Sequence, residues 1–255
     1  GSTPFAPRCI KDRIEEDMFQ ARRDLFSDLG IVFFDTTSIY FEGEGGETLG
    51  RLGHSKDHRP DLNQMIVGVV IDNKGNPICC EMWPGNIADV KSLIPIIERT
   101  RMRFRIKRFC MVADRGMISE ETLTYLEQKK IPYILGARLR RVKEIREQVL
   151  SRPGAYREVY PESRFSKDPS PLKVKEVKID DRRYIVCLNE RQARKDAADR
   201  QAIIDALQEK IKNNPKSLVG NKGFRKYLSM DRDTVSISQQ KIQDEERFDG
   251  KWVLR

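Results

Sequence analysis

The sequence predicts an α/β protein built on a mixed sheet, with core order βββαβαβ and an α+β segment inserted late in the chain. Three observations carry this. Three β-branched or aromatic runs follow one another without a helix between them. Later apolar runs alternate with stretches of helical periodicity. Beyond Ser151-Arg152-Pro153-Gly154 the character shifts to short strands, prolines and a long charged helix.

Asp12 to Leu29 carries Ile14, Met18, Phe19, Leu25 and Phe26 at roughly helical spacing, which predicts a packing helix. Ile31-Val32-Phe33-Phe34, continued by Thr36 to Phe41, predicts the first strand. Residues 42–61 are Gly-rich and charged, hence a loop. Gln64 to Ile71 and Ile78 to Trp83 flank the turn cluster Asp72-Asn73-Lys74-Gly75-Asn76-Pro77, so they form a hairpin. After Pro84-Gly85-Asn86 a helix starts near Ser92, because Pro95 is tolerated only in a first turn. Asp89 caps or precedes it. Phe109 to Ala113 is a fourth strand ending at Asp114. Ser119 caps the next helix, with Glu120 and Glu121 in its first turn. Pro132 to Ala137 is a fifth strand, followed by a basic helix near Val142 to Leu150. Residues 156–188 predict short strands, and Glu190 to Lys212 a helix with a stripe of Ala193, Ala197, Ile204, Leu207 and Ile211. Thr234 to Ile237 is another strand, and Lys251-Trp252-Val253-Leu254 follows the Asp249-Gly250 turn. Three consecutive strands before the first helix exclude a doubly wound sheet and match the ribonuclease H-like arrangement. The expected domains are a helical segment at 1–29, a core at 30–150, an insertion at 151–247 and a returning core strand at 248–255.

Composition narrows the function. The 255 residues carry 48 Lys plus Arg against 39 Asp plus Glu, a formal charge of +9, which suits a nucleic-acid partner as well as simple solubility. The longest apolar run, Met65 to Ile71, is far shorter than the roughly 20 residues that span a bilayer. The five cysteines are odd in number, include the adjacent Cys79 and Cys80, and form no C-x-x-C, which fits a reducing cytoplasm rather than a disulfide framework. There is no P-loop, and no Ser or Cys has a convincing histidine partner. His54 and His58 are four apart, but in a polar loop without a third ligand.

The chemistry gathers on two acids. Asp35 sits inside the apolar first strand, where a carboxylate is costly unless it is paired or holds a metal. Asp114 ends the apolar fourth strand and also suits the opening of a turn. In the proposed sheet these strands are neighbours, so the carboxylates stand side by side and repel unless a divalent cation separates them.

The chain resembles the DDE transposases of bacterial insertion sequences whose core carries a β-rich insertion. The resemblance rests on Phe33-Phe34-Asp35-Thr36-Thr37-Ser38, Gly53-His54-Ser55-Lys56-Asp57 with Arg59-Pro60-Asp61-Leu62, Pro84-Gly85-Asn86, Ala113-Asp114-Arg115-Gly116 and Phe248-Asp249-Gly250-Lys251-Trp252-Val253-Leu254. It covers about residues 30–255. It implies a ribonuclease H-like core that binds Mg²⁺ or Mn²⁺, two ions in the complete site, and that cuts and rejoins DNA at transposon ends. Asp35 and Asp114 match the first two catalytic, metal-holding acids. The third, a glutamate, falls on a helix after the last strand and is absent, so the fragment is expected to be inactive or nearly so. Glu245 and Glu246 precede that strand and are rejected as substitutes. Expected DNA contacts are Lys56, Arg59 and Arg115, near the acids, and Lys222, Arg225 and Lys226 in the insertion, where Phe224 or Tyr227 would stack on an unpaired base. Arg99, Arg101, Arg103, Arg105, Lys107 and Arg108 form a further basic cluster, and Arg138, Arg140, Arg141, Lys143 and Arg146 another. The partners implied are transposon-end and target DNA and a second copy in the DNA complex. A structure-specific nuclease of the same fold and a non-catalytic DNA-binding core stand as alternatives.

Overall fold

The computed structural model describes residues 9–22, 30–43, 45, 47–54, 58–106, 108–161, 169–213, 226–231 and 234–255. The chain divides into two compact units, Gly1–Gly136 and Ala137–Arg255.

The first unit begins with α1 (Ile10–Arg22), and residues 23–29 of the predicted span lie outside the described residues. Its strands are β1 (Ile31–Tyr40), β2 (Gln64–Asp72), β3 (Pro77–Pro84), β4 (Cys110–Ala113) and β5 (Tyr133–Leu135), in the spatial order β3-β2-β1-β4-β5. β1, β2 and β3 form an antiparallel meander, and β4 and β5 add in parallel on the other side of β1. Helices α2 (Leu93–Phe104) and α3 (Glu120–Gln128) make the two connections. This is the ribonuclease H-like order that the sequence predicted.

Burial alternates along β1. Val32, Phe34, Thr36 and Ser38 are buried, while Ile31, Phe33, Asp35, Thr37 and Ile39 are exposed. Val32 and Phe34 join Ile96, Ile97 and Phe104 of α2 and Leu126 of α3 in one core. Ser119 caps α3 by accepting from Thr122 N at 3.1 Å, as its sequence signal requires.

The packing of α1 corrects the expectation. Its apolar stripe does not face the core: Ile10, Ile14 and Met18 are 76%, 53% and 46% exposed. Phe19 alone reaches in, edge-on to Phe104 at 4.9 Å. The helix is held by charge instead. Arg99 donates to Asp12 at 2.7 Å and to Glu81, and Arg103 to Glu15 at 2.6 Å and Glu16 at 3.1 Å.

The second unit holds β6 (Arg157–Tyr160), β7 (Leu172–Ile179), β8 (Arg182–Leu188), α4 (Glu190–Asn213), β9 (Leu228–Asp231), β10 (Thr234–Ile237), α5 (Gln239–Glu246) and β11 (Lys251–Leu254). β11 forms where a strand was predicted, but it pairs with β8 in a four-stranded sheet β11-β8-β7-β6 rather than returning to the five-stranded one. Val253 explains the choice: it is fully buried with Val177, Tyr184 and Val186. The β9–β10 hairpin and α5 pack on α4 through Ile204, Leu207, Leu228 and Ile242.

Gly250 directly precedes β11 and packs against the start of α4. It has φ +59°, and a Cβ there would lie 2.3 Å from Asn189 O and 2.6 Å from Ala193 N. Its own N–H donates to Asp196 at 2.8 Å, beside the Arg200–Asp249 pair at 2.5 Å. Gly250→Ala is therefore expected to lower stability by more than the roughly 1–2 kcal/mol of the left-handed conformation alone, read as a fall in the thermal midpoint.

Candidate functional site

The sheet register brings the two predicted acids together. In the parallel β1–β4 pair the last matched residues are Phe34 and Ala113, so Asp35 and Asp114 occupy the next register position on neighbouring strands, which lie about 4.8 Å apart. Phe34 and Ala113 point into the core, so by alternation both acids point to the opposite face, and both are exposed. That face is apolar around them: Ile31, Phe33, Ile39 and Ile134 are 36%, 40%, 43% and 36% exposed. Asp35 accepts from Thr36 N at 2.7 Å. Asp114 has extended backbone and leads into the one-turn helix Arg115–Met117, with Met117 N donating to Asp114 O at 3.1 Å. Among the described residues no three His, Cys, Asp or Glu side chains gather where they could hold an ion together.

Of the six predicted cations, Arg59 and Arg115 of the first unit and Lys226 of the second lie among the described residues. Arg115 directly follows Asp114 and is exposed, with its backbone close to Gly136. Arg59 is exposed and paired with Asp61 at 3.0 Å. In the second unit Lys226 lies 3.9 Å from Glu245 and 4.6 Å from the ring centroid of Tyr227. Lys56, Lys222, Arg225, Lys107 and Phe224 lie outside the described residues. Tyr227 is buried in the hydrophobic cluster of α4, which removes it as a base-stacking platform. Glu245 pairs with Arg140 at 3.1 Å.

The first basic cluster also needs correction. The side chains of Arg99 and Arg103 are each 4% exposed and spent on Asp12, Glu15, Glu16 and Glu81. They cannot meet a phosphate in this fold. Arg105 and Arg108 remain exposed. The sequence held a signal for this: Asp12, Glu15 and Glu16 share one helical face, and Arg99 and Arg103 are four apart on another.

With this geometry in place, comparison with known proteins gives one family. The model of the transposase DDE domain matches residues 27–196, and the chain belongs to that family. Among solved structures, the chain is similar to a piggyBac transposase synaptic complex with hairpin DNA, at TM-score 0.35 and 13% identity over 60% of this chain and 31% of that one. It is also similar to the Mos1 transposase paired-end complex with the left transposon end, at TM-score 0.29 and 14% identity over 48% of this chain and 39% of that one. A Mos1 mariner paired-end complex with Mn gives TM-score 0.28, with the same identity and coverage. The chain thus spans well under half of the transposases it matches. No curated protein matches it. Among the described residues no helix is long and apolar enough to cross a membrane.

Proposed function

We propose that this chain is the catalytic-core portion of a transposase that cleaves and transfers DNA strands at transposon ends, with Asp35 and Asp114 as two of its metal-holding acids. The observation that carries the reading is their adjacency: they share the register position just beyond Phe34 and Ala113 of neighbouring parallel strands, and both are exposed. Two carboxylates so placed are a hard-oxygen donor pair suited to Mg²⁺ or Mn²⁺. Bound there, a divalent ion supplies charge neutralisation at a phosphodiester and activation of the attacking oxygen. The chain's own part is to hold the two carboxylates at fixed spacing on a rigid sheet. It also sets Arg115 beside them, where a guanidinium suits a phosphate.

The family resemblance implies a third acid, a glutamate on a helix after the last strand. The exposed apolar side chains flanking Asp35 offer a seat for an element that carries it. Arg59 and Lys226 are further phosphate contacts in this reading, and a second copy of the chain would complete a paired-end complex.

Binding of a blunt DNA duplex to the chain should weaken steeply with salt. Arg115→Ala should lower affinity across sequences and reduce the slope of log K against log[salt] by about 0.9. A slope unchanged by Arg115→Ala and by Arg59→Ala removes both residues from the DNA interface. Manganese titration should show binding that Asp35→Ala or Asp114→Ala abolishes, and parent-like binding in both variants defeats the site assignment.

A further inference from the structure

Away from the acids, the end of the sheet around Gln64 is tightly built. This residue opens β2 and is 1% exposed. Its side-chain nitrogen donates to His54 O at 3.2 Å and to Gly85 O at 3.0 Å. Its backbone exchanges two bonds with Arg51, at 3.1 and 3.0 Å, and Gly85 N donates to Leu49 O at 3.2 Å. Segments 49–54 and 84–85 therefore meet at Gln64, through its side chain at His54 and Gly85 and through backbone bonds at Leu49 and Arg51.

The packing there leaves no slack. A Cβ on Gly53 would sit 1.9 Å from Gly85 O and 2.6 Å from Gln64 Nε2. One on Gly85 would sit 2.1 Å from Gln64 O and 2.5 Å from Arg51 O. Both glycines are demanded by close approach of backbone, not by a left-handed φ. The amide orientation follows from its partners, since two carbonyls only accept and the nitrogen must face them. That leaves Gln64 Oε1 buried without a hydrogen-bond partner among the described residues. A buried unpaired acceptor is unfavourable, and a methionine of similar length would have none. What the site gains from glutamine is the pair of donated bonds.

Those bonds lead toward the acids. From Gly85 the chain passes through the Ile87 N to Pro84 O turn into the one-turn helix Asp89–Lys91. That helix packs against Arg115–Met117, the turn that starts directly after Asp114.

We propose that Gln64 is a positioning residue for this site: one buried amide locks the 49–54 loop to the Pro84-Gly85 turn and, through Asp89–Lys91, fixes the turn that aims Asp114. The consequence for metal rests on the reading of Asp35 and Asp114 given above. The mechanical link does not.

The test uses the full chain, with Gln64→Met and Gln64→Glu, and reads amide-exchange protection factors, thermal unfolding and Mn²⁺ affinity. Gln64→Met should lower protection about tenfold or more, the loss of one to two net hydrogen bonds, in 49–54, 84–92 and 115–118. Protection in α2 and α3 should stay at the parent level, and Mn²⁺ affinity should fall several-fold. An ionised glutamate faces two carbonyls and should behave like methionine at pH 8. Protonated, it regains a donor, so protection should return as pH falls toward 5. Arg51 turns its guanidinium to Gly50 O and Glu47 O, and the parent over the same pH range controls for it and for His54. Loss confined to 49–54, with 115–118 unchanged, overturns the proposal. So does a Gln64→Glu profile that is flat with pH, including where Gln64→Met fails to fold. A parent that binds no Mn²⁺ defeats the metal reading alone, and the exchange pattern still decides on Gln64.

Discussion

Arg99→Ala is expected to lower the stability of the chain by about 3–5 kcal/mol, the range for removing one partner from a buried ion pair. The side chains of Arg99 and Asp12 are 4% and 1% exposed and 2.7 Å apart. Truncating the arginine leaves Asp12 and Glu81 facing each other with less positive charge between them. Arg103 lies 3.3 Å from Asp12 and 3.1 Å from Glu81, so it softens the loss without replacing it. Against a total of about 5–15 kcal/mol for an ordinary domain, the loss releases α1 or unfolds the unit. Urea denaturation of parent and variant measures it, and a change under about 1 kcal/mol would place the network among weak surface pairs.

The same network sets an acid limit. Burial alone pushes the Asp12 carboxyl up, but the Cys9 amide and the Arg99 and Arg103 guanidiniums outweigh it and hold the group well below its ordinary value of 3.8. A depressed folded-state value means that Asp12 stabilises the fold fully above its ordinary value. That contribution is lost as pH falls from there through the lower folded-state value. Asp12→Asn should remove most of this acid dependence, and do so at a cost in stability at pH 7.

This network also marks where the sequence was hard to read. The adjacency of Asp35 and Asp114 was legible because an acid directly after Val32 to Phe34 and an acid after Met111 to Ala113 are conspicuous against apolar strands, and strand order then makes them neighbours. The face of α1 was not. Pattern reading credits Ile14 and Met18, and these are the residues left outside. The spacing of Asp12, Glu15 and Glu16 on one helix and of Arg99 and Arg103 on another does not say that the two sets meet, so arginines fastened inside the fold look like arginines available to DNA. Helix α5 was missed for a related reason: its Gln239–Glu246 sequence buries only Ile242, and its one local signal is the Ser238 cap on Lys241 N. The partner of β11 was unreadable because Trp252 and Val253 suit any sheet edge, and only the register Val253↔Val186 decides between them.

Asp114→Asn is expected to change stability in opposite directions with and without metal. Asp35 and Asp114 stand one register step beyond Phe34 and Ala113, and with chelator present their like charges repel across the strand pair. Neutralising one removes that repulsion at constant shape, so the thermal midpoint of Asp114→Asn in EDTA should equal or exceed that of the parent. Manganese reverses the order. An ion that binds only the folded chain at about a hundred times its dissociation constant adds about 2.7 kcal/mol, and the parent alone receives it. Asp35→Asn should behave the same way, and the double variant should gain no more metal tolerance than either single one, since each has already lost the paired donor set. The parent should thus cross from less stable to more stable than both variants as Mn²⁺ is added. If instead each variant is less stable than the parent in EDTA and still gains stability with Mn²⁺, the two aspartates are structural caps and the ion binds elsewhere. Catalytic sites trade stability for charge in this way, and the sign of the difference in EDTA separates such a trade from ordinary capping.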